Sequence, residues 1–395
     1  AECFDYNHRY LRTPGFVAKL MRATGTPFAL FLNGAQSLKR FGSMPYPEPH
    51  GVSIFGMVCL AHGGAICGAP HGGSSVHDGY LYLTFDAYKE TFAELKKRVD
   101  YVEGESLKYL ALHCSTQNRD FEPNEICKDL LATHNWIGYL RQKYMFGAYE
   151  MLNRSHIVLD YALDEHLTEE HLSRYRVLFL SNSACLSDAQ CAAITRFVEA
   201  GGTLMATSET SLLDELGYER ENFALADLLG VDYVGRRQEG EEHAVVYLAH
   251  DQELQEEIGE LICFFGRDLK VAAKSGVRVL CTRSRLSASG DDQKDGLAAY
   301  KPGEPHDTGE PTVVVHEYGK GRAIYLAGDV GGAYMNSPYP LLMRFVVRLV
   351  KQAPPPLEIE APQALEITAA HRPSGELMIH LINNPNPLIP WRIED

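Results

Sequence analysis

Acids, imidazoles and thiols are unevenly placed along this chain of 395 residues. The opening AECFDYNHRY sets Glu2, Asp5 and His8 within one short polar stretch. A carboxyl near an imidazole offers proton donation, proton uptake or hydrogen bonds to hydroxyl groups. The plainer reading of Glu2 is a solvated acid at a chain end. A second group lies in PHGGSSVHDG, residues 70–79, with His71, His77 and Asp78. Two imidazoles and a carboxylate are metal-ligand types, but their spacing fits no zinc pattern. No metal and no organic cofactor is expected. Cys185, in SNSACLSD, follows an apolar run. A nucleophile at a sharp strand-to-helix elbow needs small neighbours, and no glycine flanks this thiol. Glu209 and Asp214, in TSETSLLDELG, rim a pocket or cap a helix, and capping is favoured. Trp136 and Tyr139 sit at helical spacing among Tyr144, Phe146 and Leu152, so core packing outweighs sugar stacking. EYGKGRA holds a tight turn, because no helix follows it to present a positive end to phosphate.

These groups need elements to position them, and residues 176–207 are the clearest. Arg176 to Ser181 is a short apolar run, and Ser187 can cap a helix with Asp188 and Gln190 in its first turn. Ala192, Ile194, Phe197 and Val198 give that helix an apolar face, and Gly201-Gly202 stop it. Thr203 to Thr207 is a second apolar run. Strand, helix and strand form a βαβ unit, whose crossover implies parallel strands covered on both faces.

Upstream, a helix through Phe16, Leu20 and Met21 leads to a strand over 26–34. A helix over 52–62 leads to a strand over 65–69. The stretch 84–102 predicts an amphipathic helix with Phe85, Tyr88, Phe92, Leu95 and Val99 on one face. Further strands are predicted over 107–114, 156–163, 244–249 and 277–282, with a long helix over 124–153. Residues 312–327 read as a hairpin turning at Gly319-Lys320-Gly321, and 339–350 as a helix. Pro354-Pro355-Pro356 is a stiff linker. Antiparallel strands over 365–370 and 376–383 follow it, with no evident closing partner.

The balance of 37 basic against 52 acidic side chains, net −15, repels phosphate backbones and argues against nucleic acid as a partner. No apolar run reaches the ~18 residues of a membrane span, so no membrane association is expected. Nine cysteines without a CxxC pair read as buried free thiols in a reducing, cytoplasmic compartment. Both ends look cut, so targeting is not legible.

The segments LAHGGAICGAPHGGSSVHDGYLYLTFDAYKE, NWIGYLRQKYMFGAYEMLNRSHIVLDYAL, YRVLFLSNSACLSDAQCAAITRFVEAGGTLMAT, HEYGKGRAIYLAGDVGGAY and MIHLINNPNP, in that order, resemble a group of multidomain glycoside hydrolases. These are fucosidase-like and β-galactosidase-like enzymes. The resemblance implies an α/β chain in three parts. Residues 1–104 would be the C-terminal part of a (β/α)8 barrel. Residues 105–353 would be a flavodoxin- or amidotransferase-like parallel-sheet domain, like the β-galactosidase trimerisation domain. Residues 354–395 would begin a small β-sandwich. In a barrel, catalytic groups sit at the C-terminal ends of strands. Glycoside hydrolysis usually needs two carboxyls. The resemblance therefore implies Glu2 as a catalytic carboxyl, with its partner acid upstream of residue 1, and little activity for this stretch alone. It implies Asp5, His8, His71, His77 and Asp78 as contacts to a carbohydrate substrate. The GAPH before the second loop is less acidic than the resembled group has there. The resemblance also implies a homo-oligomer held through the α/β domain. Two rivals are a non-catalytic assembly or sugar-binding module, and an amidotransferase-like hydrolase using Cys185.

Overall fold

The computed structural model describes residues 2–3, 13–33, 36–38, 42–44, 49–69, 89–121, 143–237, 245–286 and 305–384. The first unit is a parallel sheet of β1 (Glu2–Cys3), β2 (Ala29–Asn33) and β5 (Ala65–Ala69), in the order β1-β2-β5. A small hairpin, β3 (Gln36–Leu38) with β4 (Gly42–Met44), lies between β2 and β5 in sequence. The helices Thr13–Ala23 and Pro49–Ala61 make the crossovers. Leu30 and Ile66 pack under these helices with Val52, Phe55 and Cys59. Ala65 and Cys67, on the opposite face of β5, are exposed.

A short strand β6 (Glu105–Ser106) leads into a nine-stranded sheet. Its parallel half contains β7 (Leu110–Cys114), β8 (Leu159–Leu163), β9 (Val177–Leu180), β10 (Thr203–Thr207) and β17 (Gly321–Leu326). They lie in the order β8-β7-β9-β10-β17, the doubly wound arrangement whose switch point falls between the first and third strands in sequence. Antiparallel strands extend it: β16 (Pro305–Tyr318), β15 (Arg278–Leu286), β12 (Val245–Ala249) and β13 (Leu261–Phe264). Alternate residues serve opposite faces. Leu110, Leu112, Val177, Phe179 and Met205 join one core under the helices Lys143–Arg154, Val330–Asn336 and Pro340–Val350. Ala111, Leu178, Leu180, Leu204 and Ala206 join the other, under the helix Asp188–Glu199. Burial on both faces is why these strands read as continuous apolar runs.

The central βαβ unit forms as its residues dictate. Ser187 Oγ accepts from Gln190 N at 3.2 Å, and the Gln190 side chain accepts from Ser187 N at 2.8 Å, closing a capping box. The hairpin β16–β17 turns through Gly319, whose φ of 61° suits glycine. Two strands not anticipated, β11 (Val231–Arg236) and β14 (Leu269–Ala273), pair with each other. The last strands, β18 (Leu365–His371) and β19 (Leu377–Asn383), are antiparallel, and β18 also pairs with β6.

Several expectations need correction. The helix predicted over 84–102 is described from residue 89 and ends at 96. Its buried positions are Thr91 and Leu95; Phe92 and Val99 are 46% and 52% exposed. Thr91 Oγ1 bonds Ser53 Oγ at 3.0 Å, so a polar contact, invisible to hydrophobic periodicity, sets the rotation of this helix. The strand predicted over 156–163 begins only at Leu159, after His156 at φ 57°. Of the helix predicted over 124–153, the described part is Lys143–Arg154; Trp136 and Tyr139 lie outside the described residues. Cys67 and Cys263 are exposed, against the expectation of buried thiols.

Candidate functional site

All three strands of the first sheet are parallel, so the segments that follow them leave from one edge. Glu2 is level with Phe31, and Phe31 with Cys67. Register partners in a parallel pair share a face, so Glu2 holds a register position on the face of Cys67, away from the covering helices. Asp5 and His8 come two and five residues after β1 ends at Cys3. His71, His77 and Asp78 come two, eight and nine residues after β5 ends at Ala69. These five positions lie outside the described residues. Of the six candidate positions, the structure therefore describes only Glu2, in β1.

The second place to look is the switch point between β7 and β9, where doubly wound sheets bind ligands. His113, near the end of β7, is 2% exposed. Its Nδ1 lies 2.8 Å from Ser183 Oγ and its Nε2 3.2 Å from Asp164 Oδ1. Hydroxyl, imidazole and carboxylate in series are the types and distances of an activated nucleophile. Three observations make this a brace instead. Ser183 is 2% exposed, so an acyl group has no route to its hydroxyl. The crevice is filled by Asn118, which donates to Asn182 O at 2.7 Å and to Tyr144 Oη at 3.1 Å. Asn118 Oδ1 accepts from Cys185 N at 2.7 Å. Asp164 ties the strand ends together: it accepts from Ser115 Oγ, Thr116 N, Thr116 Oγ1 and Gln117 N. Burial pushes the Asp164 carboxyl up, but hydrogen bonds from His113, Thr116 and Ser115 outweigh it and hold the group well below the usual carboxylate range.

Cys185 itself is fully buried, bridged to Leu213, and presents no thiol to solvent. Burial pushes the Cys114 and Cys191 thiols up to about 12, away from reactivity. Glu209 accepts from Arg236 Nε rather than capping a helix. Asp214 Oδ1 caps a turn, accepting from Leu216 N and Tyr218 N, both at 2.9 Å. Among the described residues no group of three or more His, Cys, Asp or Glu side chains is placed to hold a metal ion. No described helix is long and apolar enough to cross a membrane. The sequence reading missed the His113–Ser183–Asp164 brace. Its one visible signal was a histidine inside the apolar run LALHC.

Neither a known protein-family model nor a curated protein matches the sequence. Solved structures do. The β-galactosidase from Bacillus circulans sp. alkalophilus is 16% identical with a TM-score of 0.71, over 97% of this chain and 53% of that one. Gan42B, a GH42 β-galactosidase from G. stearothermophilus, is 16% identical with a TM-score of 0.66, over 94% and 52%. An α-L-fucosidase isoenzyme 2 from Paenibacillus thiaminolyticus is 19% identical with a TM-score of 0.67, over 92% and 51%. The chain spans about half the length of these structures. What they share with it is the fold: a mixed α/β, glycoside-hydrolase-like architecture built on a large, parallel-rich sheet.

Proposed function

We propose that this chain belongs to a glycoside hydrolase and contributes one lip of its sugar site. The observation that supports the reading is the parallel sheet: Glu2 lies in β1, and in sequence the stretches holding Asp5 and His8, and His71, His77 and Asp78, come directly after β1 and β5. The exposed face of β5 is the face that further βα units would enclose in a (β/α)8 barrel, where chemistry gathers at the C-terminal ends of strands. Glu2 then serves as one of the two carboxyls that cleave a glycosidic bond, and the neighbouring polar groups hold sugar hydroxyls. The likeness in fold to β-galactosidases and a fucosidase supports a carbohydrate substrate.

The closed switch point favours a supporting role for the α/β part, with no nucleophile presented at that crevice. A cysteine hydrolase is disfavoured by the burial of Cys185. The test uses aryl glycosides and a version of the protein carrying a complete barrel. Glu2→Gln should lower kcat by ~10³-fold or more, the scale of a lost acid–base group or nucleophile. Turnover unchanged in that variant would remove Glu2 from the chemistry.

A further inference from the structure

A pocket of about 420 Å³ opens where the helix Thr13–Ala23, the turn before β7 and the start of β8 meet. It lies at the C-terminal end of that helix, and hence at the edge of the first sheet where β2 begins. Lys19, Arg22, Lys108 and Arg174 line it, against the carboxylates of Glu105 and Asp160. That is four cations to two anions, a local +2 on a chain of net −15.

The partners of these cations matter more than their number. Lys108 is neutralised: its Nζ lies 2.7 Å from Asp160 Oδ2. Lys19 and Arg22 give hydrogen bonds to neutral carbonyls, Lys19 Nζ to Leu159 O and Arg22 to Gly104 O, both at 2.9 Å, although the Asp160 and Glu366 carboxylates also act on Lys19 through space. Arg174 spends a guanidinium N–H on His171 Nδ1 at 2.6 Å, and its contact to the exposed Glu105 is a long 3.7 Å. Lys19 is 8% exposed, and burial pushes its ammonium down to about 8. A buried cation held below its usual range gains from an anion placed beside it. The stacked rings of His166 and His171, 4.2 Å apart, also line the pocket. A second groove, also lined by four cations and two carboxylates, gives the contrast. There Arg278 lies 3.2 Å from Asp251, and Arg348 2.9 and 2.7 Å from Glu253 and Glu257, while Arg322 and Lys351 complete the lining.

We infer that the pocket lined by Lys19, Arg22 and Arg174 binds a phosphate group, either as free phosphate or on a small phosphorylated polyol. Guanidinium forks and an ammonium suit a compact dianion. The volume exceeds a bare phosphate and falls within the ~300–1,000 Å³ of small-molecule sites.

Thermal shift and calorimetric titration of the full chain test this, using inorganic phosphate and glycerol 3-phosphate, with sodium chloride at matched ionic strength as the reference. Both phosphates should raise Tm saturably, as binding to the folded state requires. Arg22→Gln and Arg174→Gln should each weaken binding by ~10-fold, the scale of one charge-assisted hydrogen bond. Arg278→Gln, in the paired groove, should leave it unchanged. Glycerol 3-phosphate binding the tighter of the two assigns the site to a phosphorylated molecule; equal affinity assigns it to free phosphate. A response no larger than that to sodium chloride overturns the proposal. So does equal loss in Arg278→Gln, or full binding in both Arg22→Gln and Arg174→Gln.

Discussion

Replacing Glu366 with alanine should cost about 2–3 kcal/mol, the scale of leaving buried neutral donors without their acceptor. Glu366, in β18, is fully buried. His62 Nε2 lies 3.4 Å from its Oε1, Tyr149 Oη donates to the same oxygen at 3.4 Å, and Asn384 Nδ2 donates to Oε2 at 3.1 Å. These groups come from the Pro49–Ala61 helix end, the Lys143–Arg154 helix and the end of β19, so one carboxylate is shared by three regions. Glu366→Gln keeps the volume and should cost only about 1–2 kcal/mol, near one charged hydrogen bond. The same site predicts an acid limb. Burial, with the Lys19 charge adding to it, pushes the His62 imidazole from 6.5 down to about 4. The folded state keeps His62 neutral where the unfolded chain already takes up a proton. Stability is therefore fully present above pH 6.5 and is lost as pH falls towards about 4. A depression of that size corresponds to about 3 kcal/mol. Urea titration at pH 7 and pH 5 measures both effects. A Glu366→Ala cost below about 1 kcal/mol, or a His62→Gln variant with the wild-type slope between those pH values, would refute the reasoning.

Two further outcomes are expected from backbone packing. Gly147→Ala should lower Tm sharply, because its Cβ would meet the carbonyl of Gly331 where two helices touch glycine to glycine; overpacking of this kind costs about 1–3 kcal/mol or more. An unchanged Tm would mean that those helices separate easily. Ser187→Ala should cost about 1 kcal/mol by opening the capping box, and Ser187→Asp should recover most of it in the same urea assay.

The central βαβ unit was legible because its signals are local: an apolar run, a Ser–x–x–Gln cap, a glycine stop. The hairpin β16–β17 and the strands β2 and β5 of the first unit were legible for the same reason. What sequence did not disclose depends on distant partners. The brace joins His113 to Asp164 and Ser183 across 51 and 70 residues, with no spacing to read. The strands β11 and β14 lie where acidic and glycine-rich segments blur the apolar pattern. The helix face at 89–96 was misjudged because Thr91, a polar residue, is one of its buried contacts. Glu2 was singled out by resemblance, and the structure adds only its register with Phe31.

The clasp between β6 and β18 also bears on how the polypeptide is made. Leu107 N donates to Ala369 O, and Thr368 Oγ1 to Ala61 O, so the ends of the first sheet unit wait for hydrogen-bond partners synthesised much later. His62 meets its carboxylate 304 positions later. During synthesis the first parallel sheet must persist with a polar gap at its base until β18 and β19 arrive. A stop codon placed at the three prolines would thus leave the opening helices permanently unfinished, as an aggregation-prone intermediate rather than a trimmed version of the native molecule.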